Sequence, residues 1–124
     1  MVDRIKGRKI QISSYKIDLV TVAGGGTGRK QDYNVKESII NVITAPEQKH
    51  KGFTHLEYME ISKKIMDCQE DYIILSEEEY QKIYRAFDNF SGYSRFDGEL
   101  LERIKNAEQV ELEEKKDGPK LVED

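Results

Sequence analysis

The run Gly24-Gly25-Gly26-Thr27-Gly28-Arg29-Lys30 is the stretch that comes nearest to a chemical motif. A phosphate-binding loop needs a glycine, four intervening residues and then Gly-Lys-Ser/Thr, so that backbone N–H groups ring the phosphate and a helix N-terminus faces it. Here Ala23 stands where the first glycine is needed, Arg29 follows Gly28, and the residues beyond Lys30 alternate like a strand. The dinucleotide fingerprint fails on its third glycine, whose place Arg29 takes. What remains is a hairpin tip with a candidate anion contact at Gly26, Gly28, Arg29 and Lys30, where turn N–H groups and two cations converge.

Other chemistry fails on similar grounds. A calcium loop counted from Asp88 puts Glu99 at its bidentate twelfth position, but Phe90, Gly92 and Tyr93 fall where oxygen ligands and the turn glycine belong. His50, His55 and Cys68 are the only imidazole and thiol groups, fewer than the four ligands of a structural zinc site. Cys68 falls on the apolar stripe of a helix and reads as a buried, unreactive thiol, and His55 as an exposed first-turn residue. Glu77, Glu78 and Glu79 cluster at a helix start, where negative charge complements the macrodipole. No catalytic residue, metal ligand or cofactor is assigned.

Two candidate interaction surfaces remain. Six of the eleven aromatic residues lie between positions 80 and 96. Tyr80, Tyr84 and Phe87 follow a helical stripe and read as core, whereas Phe90, Tyr93 and Phe96, with Arg95 beside them, flank the Gly92 turn and are expected to face a partner or a second copy. The other surface is basic: Arg4, Lys6, Arg8 and Lys9 precede the hairpin. Residues 1–36 carry eight Lys/Arg against three Asp/Glu, and residues 67–124 carry eight against seventeen. Such a dipolar chain could associate head to tail, but its acidic remainder repels phosphate and argues against nucleic acid.

The elements that must position these residues follow from periodicity and capping. Ile10 to Val22 reads as strand with a bend near Ser13-Ser14, and the glycine turn returns it through Lys30 to Val35 as a β-hairpin. Asn34 with Glu37 has the layout of a capping box, opening a short helix that Ala45-Pro46 stops. Thr54 with Glu57, stapled by Phe53 and Tyr58, predicts a second helix with Tyr58, Ile61, Ile65 and Cys68 on its packed face. Ser76 with Glu79, stapled by Leu75 and Tyr80, predicts a third that Gly92 ends. Between these two, Tyr72 to Leu75 is a short strand or an extended connection. Asp97 caps a short fourth helix with Leu100, Leu101 and Ile104 inward. Val110 and Leu112 mark a half-buried strand over Glu108 to Glu113.

The expected fold is therefore α+β: an N-terminal β-hairpin, three to four short helices, and a short C-terminal strand closing a small antiparallel sheet. Residues 1–113 form a single domain and 114–124 a flexible charged tail. One cysteine, no apolar run of membrane-spanning length and no apolar signal region after Met1 point to a cytoplasmic protein outside the membrane.

The layout Asp32-Tyr33-Asn34-Val35-Lys36-Glu37-Ser38-Ile39-Ile40, then Leu75-Ser76-Glu77-Glu78-Glu79-Tyr80-Gln81-Lys82-Ile83 and Gly92-Tyr93-Ser94-Arg95-Phe96-Asp97-Gly98-Glu99-Leu100-Leu101, resembles small uncharacterised proteins of bacteriophages and prophages. The resemblance carries no catalytic motif. It implies a protein of the host-cell cytoplasm that binds a host or phage protein, as an inhibitor of a host factor or a particle-assembly accessory. Two alternatives stay open: a small-molecule or nucleotide binder using the aromatic cluster with Arg95 and the glycine tip, and a weak nucleic-acid binder.

Overall fold

A computed structural model describes residues 4–19, 29–115 and 118–121. The elements run β1 (Arg4–Gln11), β2 (Tyr15–Leu19), β3 (Arg29–Tyr33), α1 (Val35–Ile43), α2 (Gly52–Asp67), β4 (Tyr72–Ser76), α3 (Glu77–Asn89), α4 (Gly98–Lys105), β5 (Glu108–Lys115) and β6 (Gly118–Leu121). Short 3-10 turns, Pro46–Gln48 and Arg95–Asp97, precede α2 and α4. The fold is α+β, and its strands are antiparallel throughout.

The bend expected at Ser13-Ser14 is where one strand becomes two. β1 stops at Gln11, the N–H groups of Ile12 and Ser13 both donate to the Asp71 carbonyl, and β2 begins at Tyr15. β2 then pairs with β3 as a separate two-stranded ribbon, so the expected hairpin exists but stands apart from the main sheet. Residues 20–28, including Gly26 and Gly28, lie outside the described residues. Val35, assigned to the returning strand by alternation, is instead the first residue of α1 and fully buried.

The main sheet has the order β4-β1-β5-β6. Its second strand, β1, is the segment whose Arg4, Lys6, Arg8 and Lys9 read as a basic surface. A central strand can carry these cations because of what faces them: Lys6 is paired in register with Glu111 and Lys9 with Glu108. The opposite charges of the two ends of the chain are thus interleaved within one sheet. Arg8 goes further, donating to both Glu77 carboxylate oxygens and to the Ala107 carbonyl while its guanidinium stacks 4.6 Å from the Tyr80 ring centre. Its contact with Glu77 ties β1 to the start of α3, raises the guanidinium pKa and lowers that of the Glu77 carboxylate.

The helices cover one face of this sheet. Ile10, Ile12, Ile73 and Leu75 meet Val35, Ile39 and Ile43 of α1, Tyr58, Ile61 and Ile65 of α2, Tyr80, Ile83 and Phe87 of α3, and Leu100 and Ile104 of α4 in one buried cluster. The buried Gln48 amide donates to the Val42 and Ala86 carbonyls, joining α1 to α3. The reverse face has its own small centre. A flat sheet would hold β4 and β6 about 14 Å apart, three spacings of about 4.8 Å, yet they approach within 8 Å. The sheet therefore curls, and Leu112 is fully buried against Gly7, where an added Cβ would lie 2.5 Å from Leu112 Cδ1 and 2.7 Å from the Leu75 carbonyl oxygen.

Several boundaries differ from the sequence expectations. α2 starts at Gly52 after Lys51, with no side-chain cap; Thr54 sits inside the first turn, and Phe53 points into solvent instead of stapling to Tyr58. α3 keeps its full Ser76/Glu79 capping box but ends at Asn89, and Gly92 takes its positive φ of 93° in the following loop. Tyr84 is exposed, its expected core place taken by Ala86. Asp97 precedes α4 without capping it, because its carboxylate accepts from the Ser94 N–H and the Tyr33 hydroxyl. Cys68 is the half-buried C-cap of α2, its thiol donating to the Tyr72 carbonyl at 3.2 Å. The segment expected as a tail from residue 114 is strand where it is described, with Glu114 paired to Pro119 and Lys115 to Gly118.

Candidate functional site

Between α3 and α4 the packing leaves an apolar cleft of about 270 Å3. Tyr84, Phe87, Phe90 and Tyr93 form one wall, Leu101 and Ile104 the other, and Asp88 and Lys105 complete the lining. The cleft exists because α3 stops early. Phe90 takes an extended backbone (φ −78°, ψ 141°), so the chain leaves the helix axis and Tyr93 folds back beneath it. The Tyr93 ring stacks at 14° on Phe87 with centres 6.2 Å apart, meets Phe90 at 5.1 Å, and donates its hydroxyl to the Phe87 carbonyl at 2.7 Å. Burial, with the nearby Asp97, Glu47 and Asp88 carboxylates, pushes the Tyr93 hydroxyl pKa up to about 12. The Tyr80 hydroxyl donates to the Ile104 carbonyl at 2.6 Å and holds α4 at its distance from α3.

The structure divides the expected aromatic surface. Phe90 and Tyr93 line this cleft, half-buried and packed against the core. Arg95 and Phe96 do not: the Arg95 guanidinium lies 4.9 Å from the Phe96 ring centre, and the Phe96 carbonyl accepts the Tyr15 hydroxyl at 2.7 Å. Their turn is therefore an anchor for the β2–β3 ribbon, whose Tyr15 and Tyr33 stack at 4.6 Å and reach Phe96 and Asp97 together. Arg29 and Lys30 of the candidate anion contact are backbone partners of Leu19 and Asp18 in that ribbon.

One surface escaped the sequence reading. Four of the largest exposed apolar side chains lie on the outward side of α2: Phe53 at 86% exposure, Leu56 at 51%, Met59 at 49% and Met66 at 54%. Their spacing of three, three and seven residues is itself a helical repeat, and it was the signal available in the sequence. It was hidden because Tyr58, Ile61 and Ile65 supply a second repeat on the opposite side that accounts for the helix alone.

Among the described residues no group of three or more His, Cys, Asp or Glu is arranged to hold a metal ion, and no helix is long and apolar enough to cross a membrane. The chain matches no protein-family model, and no curated protein or solved structure is significantly similar to it.

Proposed function

We propose that this chain is a non-enzymatic interaction protein, of the kind with which bacteriophages inhibit a host factor or assist particle assembly, and that the α3–α4 cleft seats an apolar side chain of the protein it binds. The observation that carries the reading is the cleft's size and lining. At about 270 Å3 it lies at the small end of ligand sites and is large enough to seat one aromatic or aliphatic side chain. Phe87, Phe90, Leu101 and Ile104 give it aromatic and aliphatic walls, and Asp88 and Lys105 in its lining supply one acceptor and one donor to orient a peptide backbone. Arg8 and Lys9, the most promising cations for phosphate, are engaged with Glu77, Tyr80 and Tyr72, which leaves the nucleic-acid reading with less support.

The experiment is an NMR titration with indole and with short peptides bearing a single Trp, Phe or Leu. Shifts are expected to converge on Tyr84, Leu101 and Ile104, and Tyr84→Ala should weaken binding about tenfold, the factor that accompanies roughly 1.4 kcal/mol. Saturable shifts produced instead by nucleotides, at the same residues, would replace this reading with the small-molecule one.

A further inference from the structure

We infer that a second pocket, where the last turns of α3 meet α2 and the loop before it, binds a free α-amino acid in its zwitterionic form. The pocket has a volume of about 410 Å3, in the range of small-ligand sites, and its lining includes Gln48, His50, Tyr58, Arg85, Asp88 and Asn89. It shares only Asp88 with the α3–α4 cleft and does not depend on the reading given for that cleft.

Hydrogen bonds within the lining leave a defined set of groups over. Gln48 uses its amide N–H groups on the Val42 and Ala86 carbonyls, so its Oε1 is the acceptor for the Asn89 Nδ2 at 3.0 Å. That orientation leaves the Asn89 Oδ1 without a partner among the described residues. The His50 ring stacks on Tyr58 at 3.9 Å, and its Nε2 lies 3.0 Å from the Ile43 carbonyl. A carbonyl only accepts, so Nε2 carries the proton of the neutral ring and Nδ1 is an open acceptor. Arg85 donates its Nε to the Gln81 carbonyl at 3.3 Å and has no carboxylate partner among the described residues. Asp88 stands one turn further along α3, where Cβ atoms are about 5–6 Å apart, yet the two do not pair. A base that precedes the acid is the less favourable order on a helix.

This remainder selects the ligand. Arg85 offers two NH2 groups to a carboxylate, and Asp88, the Asn89 Oδ1 and the His50 Nδ1 offer acceptors to an ammonium. A lone oxyanion such as phosphate satisfies Arg85 but meets the Asp88 charge and the negative end of the α3 macrodipole, whose last turn has no basic residue. A lone amine satisfies Asp88 but faces the guanidinium. A molecule with an ammonium and a carboxylate on one carbon answers both, and its zero net charge matches a lining with one guanidinium and one carboxylate.

The test is an NMR titration of the full chain with glycine, L-glutamine and L-phenylalanine, each beside its amide and its N-acetyl derivative. The amide deletes the ligand's carboxylate charge, and acetylation deletes its ammonium charge. At least one free amino acid is expected to give saturable shifts centred on His50, Arg85 and Asn89. Its two derivatives should each bind about tenfold more weakly, for one lost charge-assisted contact. Arg85→Gln should abolish the preference over the amide and keep the preference over the N-acetyl form, and Asp88→Asn should do the reverse. Both side chains are exposed, and far-UV circular dichroism should be unchanged in both variants. No saturable shifts from any of the three amino acids up to about 50 mM, or derivatives or inorganic phosphate that bind as tightly as the parent, would overturn the proposal. So would two variants that alter both preferences alike. Indole shifts at the α3–α4 cleft should be the same in Arg85→Gln as in the wild-type chain, so the two sites are judged separately.

Discussion

Helices α2 and α3 lie side by side on the same core, yet they use their sequences differently. α3 has a reciprocal Ser76/Glu79 cap, three acidic residues in its first turn, and an apolar set that turns mainly inward as Tyr80, Ile83, Ala86 and Phe87. α2 is longer, begins without a side-chain cap or an acid in its first turn, and divides its large apolar residues between the core and the solvent side. A helix whose local signals and packing agree has completed its work within the fold. One that carries a second apolar stripe has residues that folding leaves unexplained, and those direct attention to an interaction.

The largest effects should come from truncating the buried stripes. Ile83→Ala in α3 and Ile65→Ala in α2, both fully buried, should each cost about 3–4 kcal/mol in denaturant unfolding. Leu56→Ala on the outward side of α2 should change the monomer's stability by less than about 0.5 kcal/mol. A large loss from Leu56→Ala would show that the outward stripe supports the monomer fold and would erase the distinction.

Next in size is the acid response of the α3 start. The hydrogen bonds from Arg8, then from Gln81, hold the Glu77 carboxylate below its ordinary pKa, with Lys6 adding to the field. A depressed carboxylate contributes stability above its unfolded-state pKa and loses it as pH falls through the folded value. Glu77→Gln should therefore cost about 1–2 kcal/mol at neutral pH and flatten the fall in stability between the ordinary carboxylate range and the lowered value. An acid limb identical to wild type would remove Glu77 from the account.

The capping contrast is smaller but sharp. Ser76→Ala should lose about 1 kcal/mol because it frees the Glu79 N–H, whereas Thr54→Ala should lose almost nothing, since Thr54 caps no helix. The smallest effect is a gain: Lys51→Asp places an acceptor at the vacant N-cap of α2 and should add about 0.5 kcal/mol.

Local chemistry was legible in the sequence. The Asn34 and Ser76 caps, the stop at Ala45-Pro46, the bend at Ser13-Ser14 and the half-buried strand around Leu112 follow from residues within a few positions of one another. Thr54 and Glu57 imitated a cap because the motif is short and Gly52, at a φ of 25°, opened the helix two residues earlier. The basic segment reads as surface because the acids opposite it lie about a hundred residues away in the chain, and no local pattern announces that pairing. At the candidate site Phe90 and Tyr93 were visible as aromatics beside a break. Leu101 and Ile104 joined them only through the packing of α4 on α3, and Arg95 and Phe96 were diverted by hydrogen bonds to a ribbon whose position the sequence does not encode locally.

The place of β1 also sets a clock. It is synthesised before its neighbours β4 and β5, which begin at Tyr72 and Glu108. At about 5–20 residues per second, roughly 5–20 s pass between synthesis of Arg8 and of the strand that completes its pairing. Until β4 is made both edges of the nascent strand are unpaired, and until β5 is made one of them stays so, and its closely spaced Lys and Arg side chains act as guards against edge-to-edge association. The cations that end up interleaved with glutamates in the finished sheet thus serve an earlier purpose, keeping an unfinished one from recruiting the wrong strand.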